Sequence, residues 1–106
     1  MYRNPDKYFN TNILYMQHQN SKKAEIVFKT LAKVIRRERE KQNKSLRILA
    51  DEYDIQKSLL SRLENGVNEP KLILIWTISE ALNMPVSSLL RLVEEELPRG
   101  FSFVEK

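Results

Sequence analysis

A short segment, SLLSRLENG at residues 58–66, carries two kinds of side chain at helical spacing. Successive helix residues are turned by about 100°, so the side chains separate into two arcs. The polar arc holds Lys57, Ser58, Ser61, Arg62 and Asn65. The other arc holds Gln56, Leu59, Leu60 and Leu63. A guanidinium or an ammonium can donate to a guanine edge, and a hydroxyl can donate or accept. The polar arc therefore suits base edges, although a surface helix commonly has a solvated polar face.

Other candidate chemical groups in the sequence do not assemble into an enzyme. The single histidine, His18, has no ligand cluster around it, and the chain has no cysteine. Ser58 and Ser61 lack a base that would activate them as nucleophiles. The run Glu94–Glu96 is typical of an exposed helix face. No glycine-rich phosphate loop occurs, so we expect no enzymatic activity, no metal and no cofactor.

Positive charge is concentrated in one part of the chain. Eighteen Lys and Arg against fourteen Asp and Glu give a net charge of +4 over 106 residues. Between residues 22 and 44 there are nine basic and three acidic residues. This segment could attract phosphate groups, or it could simply be a solvated helix face. The candidate phosphate contacts are Lys22, Lys23, Arg36 and Arg37.

The sequence indicates a soluble, cytoplasmic protein. Without cysteine there can be no disulfide framework, which fits a reducing compartment. The first twelve residues lack the apolar stretch of a signal peptide. The longest apolar run, Leu72–Trp76, is far too short to span a bilayer, so no membrane association is expected.

Apolar periodicity and helix-ending residues predict five helices and no strand. The first runs from residue 21 to about 42 with one apolar face. Arg39 lies on that same face, where a cation needs a buried partner. The later helices are bounded by residues suited to caps, turns and breaks, namely Asn43, Ser45, Asp54, Gly66, Pro70, Asn83 and Pro98. We expect an N-terminal arm at 1–20, an all-α domain at 21–97, and at 98–106 a tail that forms a short strand or docks.

From residue 31 to about 92 the sequence resembles the phage-repressor-type helix-turn-helix family, the Cro and lambda-repressor-like or XRE-like group. The motifs that carry the resemblance are IRREREKQNKS (35–45), LADEYDIQKSLLSRLENG (49–66), Pro70 and IWTISEALNMPVSSLL (75–90). The resemblance covers a little under two thirds of the chain. It implies a five-helix lambda-repressor-like domain that binds double-stranded DNA through its third helix, at about 57–65, as a two-fold dimer.

The resemblance also implies individual roles. Lys57, Ser58 and Arg62 match base-reading positions. Arg39 and Glu64 match a structural ion pair. Positions neighbouring the bases or contacting phosphate are Ser45, Arg47, Gln56, Leu59, Ser61 and Asn65.

Two residues depart from the family pattern. Leu46 stands where the family often has a phosphate-binding Gln, and Arg47 could replace part of that contact. Asp54 stands in the turn between the second and third helices, where Gly is usual. Asp tolerates the left-handed backbone region at some cost. Leu59, at the border of the two arcs, is either buried or in contact with a thymine methyl group.

The fifth helix has more apolar width than one small core needs, which favours a homodimer through that helix. Its apolar residues are Val86, Leu89, Leu90, Leu92, Val93 and Leu97. Trp76 is expected in the core, with an interface as the alternative. The aromatic tail, with Phe101 and Phe103, and the segment 13–16 could extend the dimer contact or bind another protein.

The leading hypothesis is a sequence-specific transcriptional regulator, a repressor that binds an inverted repeat as a homodimer. The alternative is an antitoxin-type autoregulator whose arm or tail binds a partner protein. A third hypothesis, prompted by Leu46 and Asp54, is a helix-turn-helix fold that has lost DNA binding and serves only assembly.

Overall fold

The chain folds into helices joined by short connections. A computed structural model describes residues 5–66 and 69–104, with side-chain surroundings from residue 22 onward. The helices are α1 (Pro5–Lys41), α2 (Leu46–Glu52), α3 (Lys57–Glu64), α4 (Leu72–Ala81) and α5 (Val86–Glu96). No strand occurs within the described ranges. The predicted all-α class with five helices is confirmed.

Three helices end where the chain adopts a left-handed backbone at a short polar residue. Asn43, Asp54 and Asn83 have φ angles of 56°, 54° and 62°. Asn and Asp accept this conformation because their side chains can hydrogen-bond locally. At the start of α2, the hydroxyl of Ser45 accepts a hydrogen bond from the backbone N–H of Ile48 at 3.1 Å. Ser45 is therefore the N-cap that the sequence predicts.

The first helix is longer than predicted. It begins at Pro5 and spans 37 residues, so the predicted start at residue 21 is wrong and residues 5–20 continue α1. Pro is favourable in a first helical turn, and no Gly or Pro interrupts residues 6–20. Residues 1–4 and 105–106 lie outside the described residues. The side chains of His18 and of residues 13–16 also lie outside them.

The core lies where α1 packs against α3 and α5, with α2 against α3 and α4 against α5. Its fully buried aliphatic side chains come from all five helices: Val34, Ile35, Leu49, Leu60, Ile78, Leu82 and Leu89. Leu60 and Leu63 of α3 both point into this core. Burial of such side chains stabilises the fold by about 1.5–3 kcal/mol each, which fixes α3 to the rest of the domain.

Helices α4 and α5 distribute their apolar residues differently from the prediction. Trp76 is 46% exposed, so the expectation of a core tryptophan is wrong. On α5, Leu89 and Val93 are buried in the chain's own core, whereas Leu90 is exposed. In the described part of the chain no single helix could cross a membrane by length and composition. Helices α4 and α5 pass that test only together, as a pair bent by 102°.

The C-terminal tail turns back onto α1 without forming a strand in its described residues. The ammonium of Lys23 donates a hydrogen bond to the backbone carbonyl of Ser102 at 2.7 Å. Phe101 and Phe103 pack edge to face, with ring centroids 5.4 Å apart. Of the two forms that the sequence allowed, the docked tail is therefore the one observed.

Candidate nucleic-acid interface

Helix α3 presents its polar arc to solvent. Lys57, Ser58 and Arg62 are exposed, whereas Leu60 is fully buried and Leu63 is 4% exposed. The helix follows an extended N-cap residue, Gln56, with φ −60° and ψ 127°. Leu60 and Leu63 thus differ in environment from the polar arc, as their helical spacing indicates. A cation, a hydroxyl group and a guanidinium lie side by side on a surface that a ligand can reach.

The side chains flanking this arc extend the surface. Gln56 and Asn65 are exposed and Ser61 is half-buried. Leu59 is 42% exposed, which excludes the fully buried alternative for this residue. It borders an open groove between α3 and the start of α4, whose wall includes Arg62, Pro70, Lys71 and Leu74. An exposed aliphatic side chain next to polar ones can contact a thymine methyl group.

A buried ion pair fixes the C-terminal end of α3. Arg39 Nε and Nη2 donate to the two carboxylate oxygens of Glu64 at 2.7 and 2.9 Å. Arg39 Nη1 also donates to the carbonyl of Lys44 at 2.7 Å, at the connection between α1 and α2. The hydrogen bonds that Arg39 donates to Glu64 raise the pKa of the Arg39 guanidinium above its ordinary value. Glu64 is therefore the partner that Arg39, a cation on the apolar face of α1, requires.

Arg36 continues this contact toward the surface. Its Nη2 atom donates to the backbone carbonyl of Glu64 at 3.0 Å and to the side-chain carbonyl of Asn65 at 3.4 Å. Arg36 is half exposed at its side chain, so it can still meet an external anion. A shallow depression between α1 and the end of α3 also includes Lys29 and Lys33. The basic face of α1 therefore adjoins the C-terminal end of α3 at Asn65.

Like Arg36, two further predicted phosphate contacts, Arg37 and Lys23, have partners inside the protein. Arg37 forms an ion pair with Glu96, and Lys33 Nζ lies 3.4 Å from the other oxygen of that carboxylate. These contacts join α1 to the end of α5. The hydrogen bond from Arg37 lowers the pKa of Glu96, and the same bond raises the pKa of Arg37. Lys23 is engaged by the tail, whereas Lys22 is exposed.

The prediction that the whole run Glu94–Glu96 is an exposed helix face is wrong at Glu96. Glu94 and Glu95 are exposed, but the Glu96 side chain is only 23% exposed. Nothing local in the sequence indicates this role, because Arg37 and Glu96 are 59 residues apart. Their proximity depends on how α5 packs against α1.

Of the two candidate phosphate contacts at the start of α2, Ser45 and Arg47, one is already used inside the protein. The Ser45 hydroxyl is used in capping, and Arg47 is exposed. Lys44 donates to Glu52 at 2.9 Å and lies 5.5 Å from the Tyr53 ring centroid. The hydrogen bond with Glu52 raises the pKa of Lys44. Among the described residues, no group of three or more potential metal-ligating side chains lies close together.

Comparison with models of known protein families identifies the family of this domain. A model of a helix-turn-helix family matches residues 35–89, just over half of the chain, from the second half of α1 into α5. The protein belongs to the helix-turn-helix family. The match includes α2, α3 and α4 entire, and it confirms the XRE-like resemblance. No curated protein sequence matches the chain. Membership in the helix-turn-helix family supports a DNA-binding regulatory protein of a class that is typically non-enzymatic.

Proposed function

We propose that this helix-turn-helix protein is a sequence-specific transcriptional repressor that binds an inverted-repeat operator as a homodimer. Helix α3 enters the major groove, and its exposed arc of Lys57, Ser58 and Arg62 reads base edges. The observation that carries the proposal is this arc on a helix whose opposite side is buried. Repression then follows from occupancy, since a bound dimer blocks polymerase without any catalytic step.

The support for base reading is the fixed position of α3. Two leucines anchor its inner side, and Glu64 ties its end to Arg39. A helix of eight residues held in this way presents its side chains in one orientation, which bidentate recognition requires. We assign guanine contact to Arg62, with Lys57 and Ser58 on neighbouring base positions.

Phosphate contacts surround this arc in the proposal. Asn65 and Arg36 lie together at the C-terminal end of α3, and Arg47 and Lys22 are exposed on their own helices. Such groups orient the protein on the duplex without selecting a sequence. Lys23 and Arg37 have a smaller part in this proposal, because each has a partner within the protein and is half-buried, whereas Arg36 stays exposed beside its partners.

The partner-protein hypothesis receives no separate support. It was motivated by the extensions at 1–20 and 98–106. Residues 5–20 continue α1, and the tail contacts α1 through Lys23 and Ser102. The hypothesis of lost DNA binding is also not favoured, because Asp54 adopts the left-handed turn with φ 54° and α3 keeps its polar arc exposed.

Selection of bound DNA from a random pool, followed by fluorescence anisotropy, tests the proposed function. We expect an enriched inverted repeat that binds at least about 1,000-fold more tightly than a scrambled duplex at moderate salt. The logarithm of affinity should fall linearly with the logarithm of salt concentration. The double variant Lys57→Ala/Arg62→Ala should bind both duplexes with similar affinity. Equal affinity of the wild-type protein for the two duplexes contradicts the proposal.

A further inference from the structure

Leu59 is the one apolar side chain that α3 leaves exposed. The other exposed residues of this helix, Lys57, Ser58 and Arg62, are all polar. Leu59 is 42% exposed, whereas the next residue, Leu60, is fully buried. A single exposed leucine is ordinary on a protein surface, so exposure by itself assigns no role to Leu59. Its neighbours on α3 and α4 do.

Leu59 lies beside Arg62, the residue to which we assign guanine contact. Residues three apart in a helix are neighbours on its surface, about 60° apart around the axis. Both side chains line the same groove between α3 and the start of α4. A base contacted by Arg62 therefore has a neighbouring base within reach of Leu59.

The separation of these two residues along α3 matches one base-pair step. Three residues advance an α-helix by about 4.5 Å. Successive nucleotides along a strand of B-DNA are about 3.4 Å apart. With α3 lying along the major groove, Arg62 and Leu59 thus meet adjacent base pairs, the first through hydrogen bonds and the second through apolar contact.

The groove beside Leu59 suits a small apolar group. Four of the seven residues that line it are apolar, namely Leu59, Leu63, Pro70 and Leu74. Glu69 and Lys71 also line it and carry opposite charges, so Arg62 supplies its net charge. A phosphate group would lose hydration against the apolar walls. Of the base-edge groups in the major groove, the methyl group of thymine is the apolar one, and it is the part of DNA that fits here.

We propose that Leu59 contacts the methyl group of a thymine in the base pair next to the guanine that Arg62 contacts. This inference rests on the proposed function, because it needs α3 in the major groove. The methyl group packs between Leu59 and the apolar wall of the groove. Cytosine lacks this methyl group, and adenine presents an amino group at its edge. Leu59 is therefore a specificity-determining residue that acts without a hydrogen bond.

Replacing thymine by uracil tests the contact, because uracil lacks the methyl group and keeps every hydrogen-bonding group of the base. The guanine of Arg62 is located first, as the position at which Arg62→Ala loses discrimination. Uracil then replaces thymine in the adjacent base pair of the selected operator, and anisotropy measures binding. We expect affinity to fall about fourfold per half-site, the effect of removing one methyl group from an apolar contact. Uracil at a thymine outside the half-sites is the control and should leave affinity unchanged.

Variants at residue 59 test whether this leucine makes the contact. Leu59→Ala shortens an exposed side chain, so circular dichroism should show an intact fold. This variant should bind the thymine and uracil operators equally and should still discriminate at the guanine of Arg62. Leu59→Met keeps a long apolar side chain and should restore the preference for thymine.

Cytosine methylation gives an independent measurement. When a cytosine replaces the contacted thymine, with guanine opposite, a methyl group on its carbon 5 occupies the same place in the major groove. The wild type should bind the methylated duplex about fourfold more tightly than the unmethylated duplex. Leu59→Ala should bind the two duplexes equally.

Three results would overturn the role of Leu59. They are a selected operator without thymine in either base pair next to the guanine of Arg62, equal wild-type affinity for the thymine and uracil operators, and a preference for thymine that survives in Leu59→Ala. The same titrations measure the preference of the wild type for selected over scrambled DNA. Where that preference is present, these results remove only the methyl contact. Where it is absent, the proposed function fails and the methyl contact fails with it.

Discussion

Arg39 and Glu64 join the first and third helices through two parallel hydrogen bonds, 2.7 Å from Nε to Oε2 and 2.9 Å from Nη2 to Oε1. Their side chains are only 11% and 2% exposed. Bidentate pairing of a guanidinium with a carboxylate fixes both groups in one geometry. The pair therefore sets the orientation of the proposed recognition helix relative to α1.

Removal of Arg39 should destabilise the fold strongly. Arg39→Ala leaves the buried carboxylate of Glu64 without its main partner, so we expect a loss of about 3–5 kcal/mol in the free energy of unfolding, measured in urea. The control is Lys29→Ala, which removes an exposed ammonium 3.9 Å from Glu25 and should cost less than about 1 kcal/mol. The double variant Arg39→Met/Glu64→Leu should be more stable than Arg39→Ala. Equal effects of Arg39→Ala and Lys29→Ala would show that the pair is not buried in solution.

The glycine at the end of α3 should resist substitution for two reasons. Gly66 has φ 63°, and a Cβ atom there would lie 3.2 Å from Lys29 Cγ and 3.3 Å from Lys29 Cα. Gly100 has φ 76° but nothing within 4 Å of such an atom. Left-handed backbone costs an alanine about 1–2 kcal/mol, so Gly100→Ala should lose that amount in a urea titration and Gly66→Ala clearly more. Similar losses would mean that α1 moves away from residue 66 at little cost.

Acid should remove the ion pair between Arg37 of α1 and Glu96 of α5. Hydrogen bonding from Arg37 lowers the pKa of Glu96 in the folded protein. Its stabilising effect is therefore complete above the ordinary glutamate pKa of about 4.3 and is lost as pH falls through the lowered value. We expect the melting temperature of the wild type to exceed that of Glu96→Gln at neutral pH, and the difference to vanish in acid. Glu95→Gln is the control. An equal or larger effect of that variant, or a difference that persists in acid, would contradict the prediction.

Base-reading and phosphate-contacting side chains should respond differently to mutation. Arg62→Ala should relax discrimination at one base position per half-site by about 1–3 kcal/mol. Lys22→Ala should weaken binding to all sequences alike and reduce the salt slope by about 1. Arg91, exposed on α5, provides a control variant that should change neither quantity. Anisotropy titrations on the selected site and its single-base variants measure both effects. Equal losses on every duplex from Arg62→Ala would remove its base-reading role.

Much of the fold follows from local properties of the sequence. Asn43, Asp54 and Asn83 mark helix ends because short polar residues accept the left-handed backbone that a helix end needs. The two arcs of α3 follow from the 3.6-residue period, which puts Leu60 and Leu63 on one side and Arg62 on the other. The sequence does not predict the start of α1, because residues 5–20 lack the clear apolar face that indicates a helix.

The sequence by itself determined the number of helices and most of their ends, the polar arc of α3 and, through its resemblance, the pairing of Arg39 with Glu64. Only the tertiary structure decided which side of an apolar helix is covered. LILIWTISEA has apolar residues in every direction, so its pattern gives no preferred face, and the exposure of Trp76 depends on where α5 packs. Glu96 likewise meets Arg37 only because two helices distant in sequence come together. Such contacts are set by long-range packing, which local spacing does not encode.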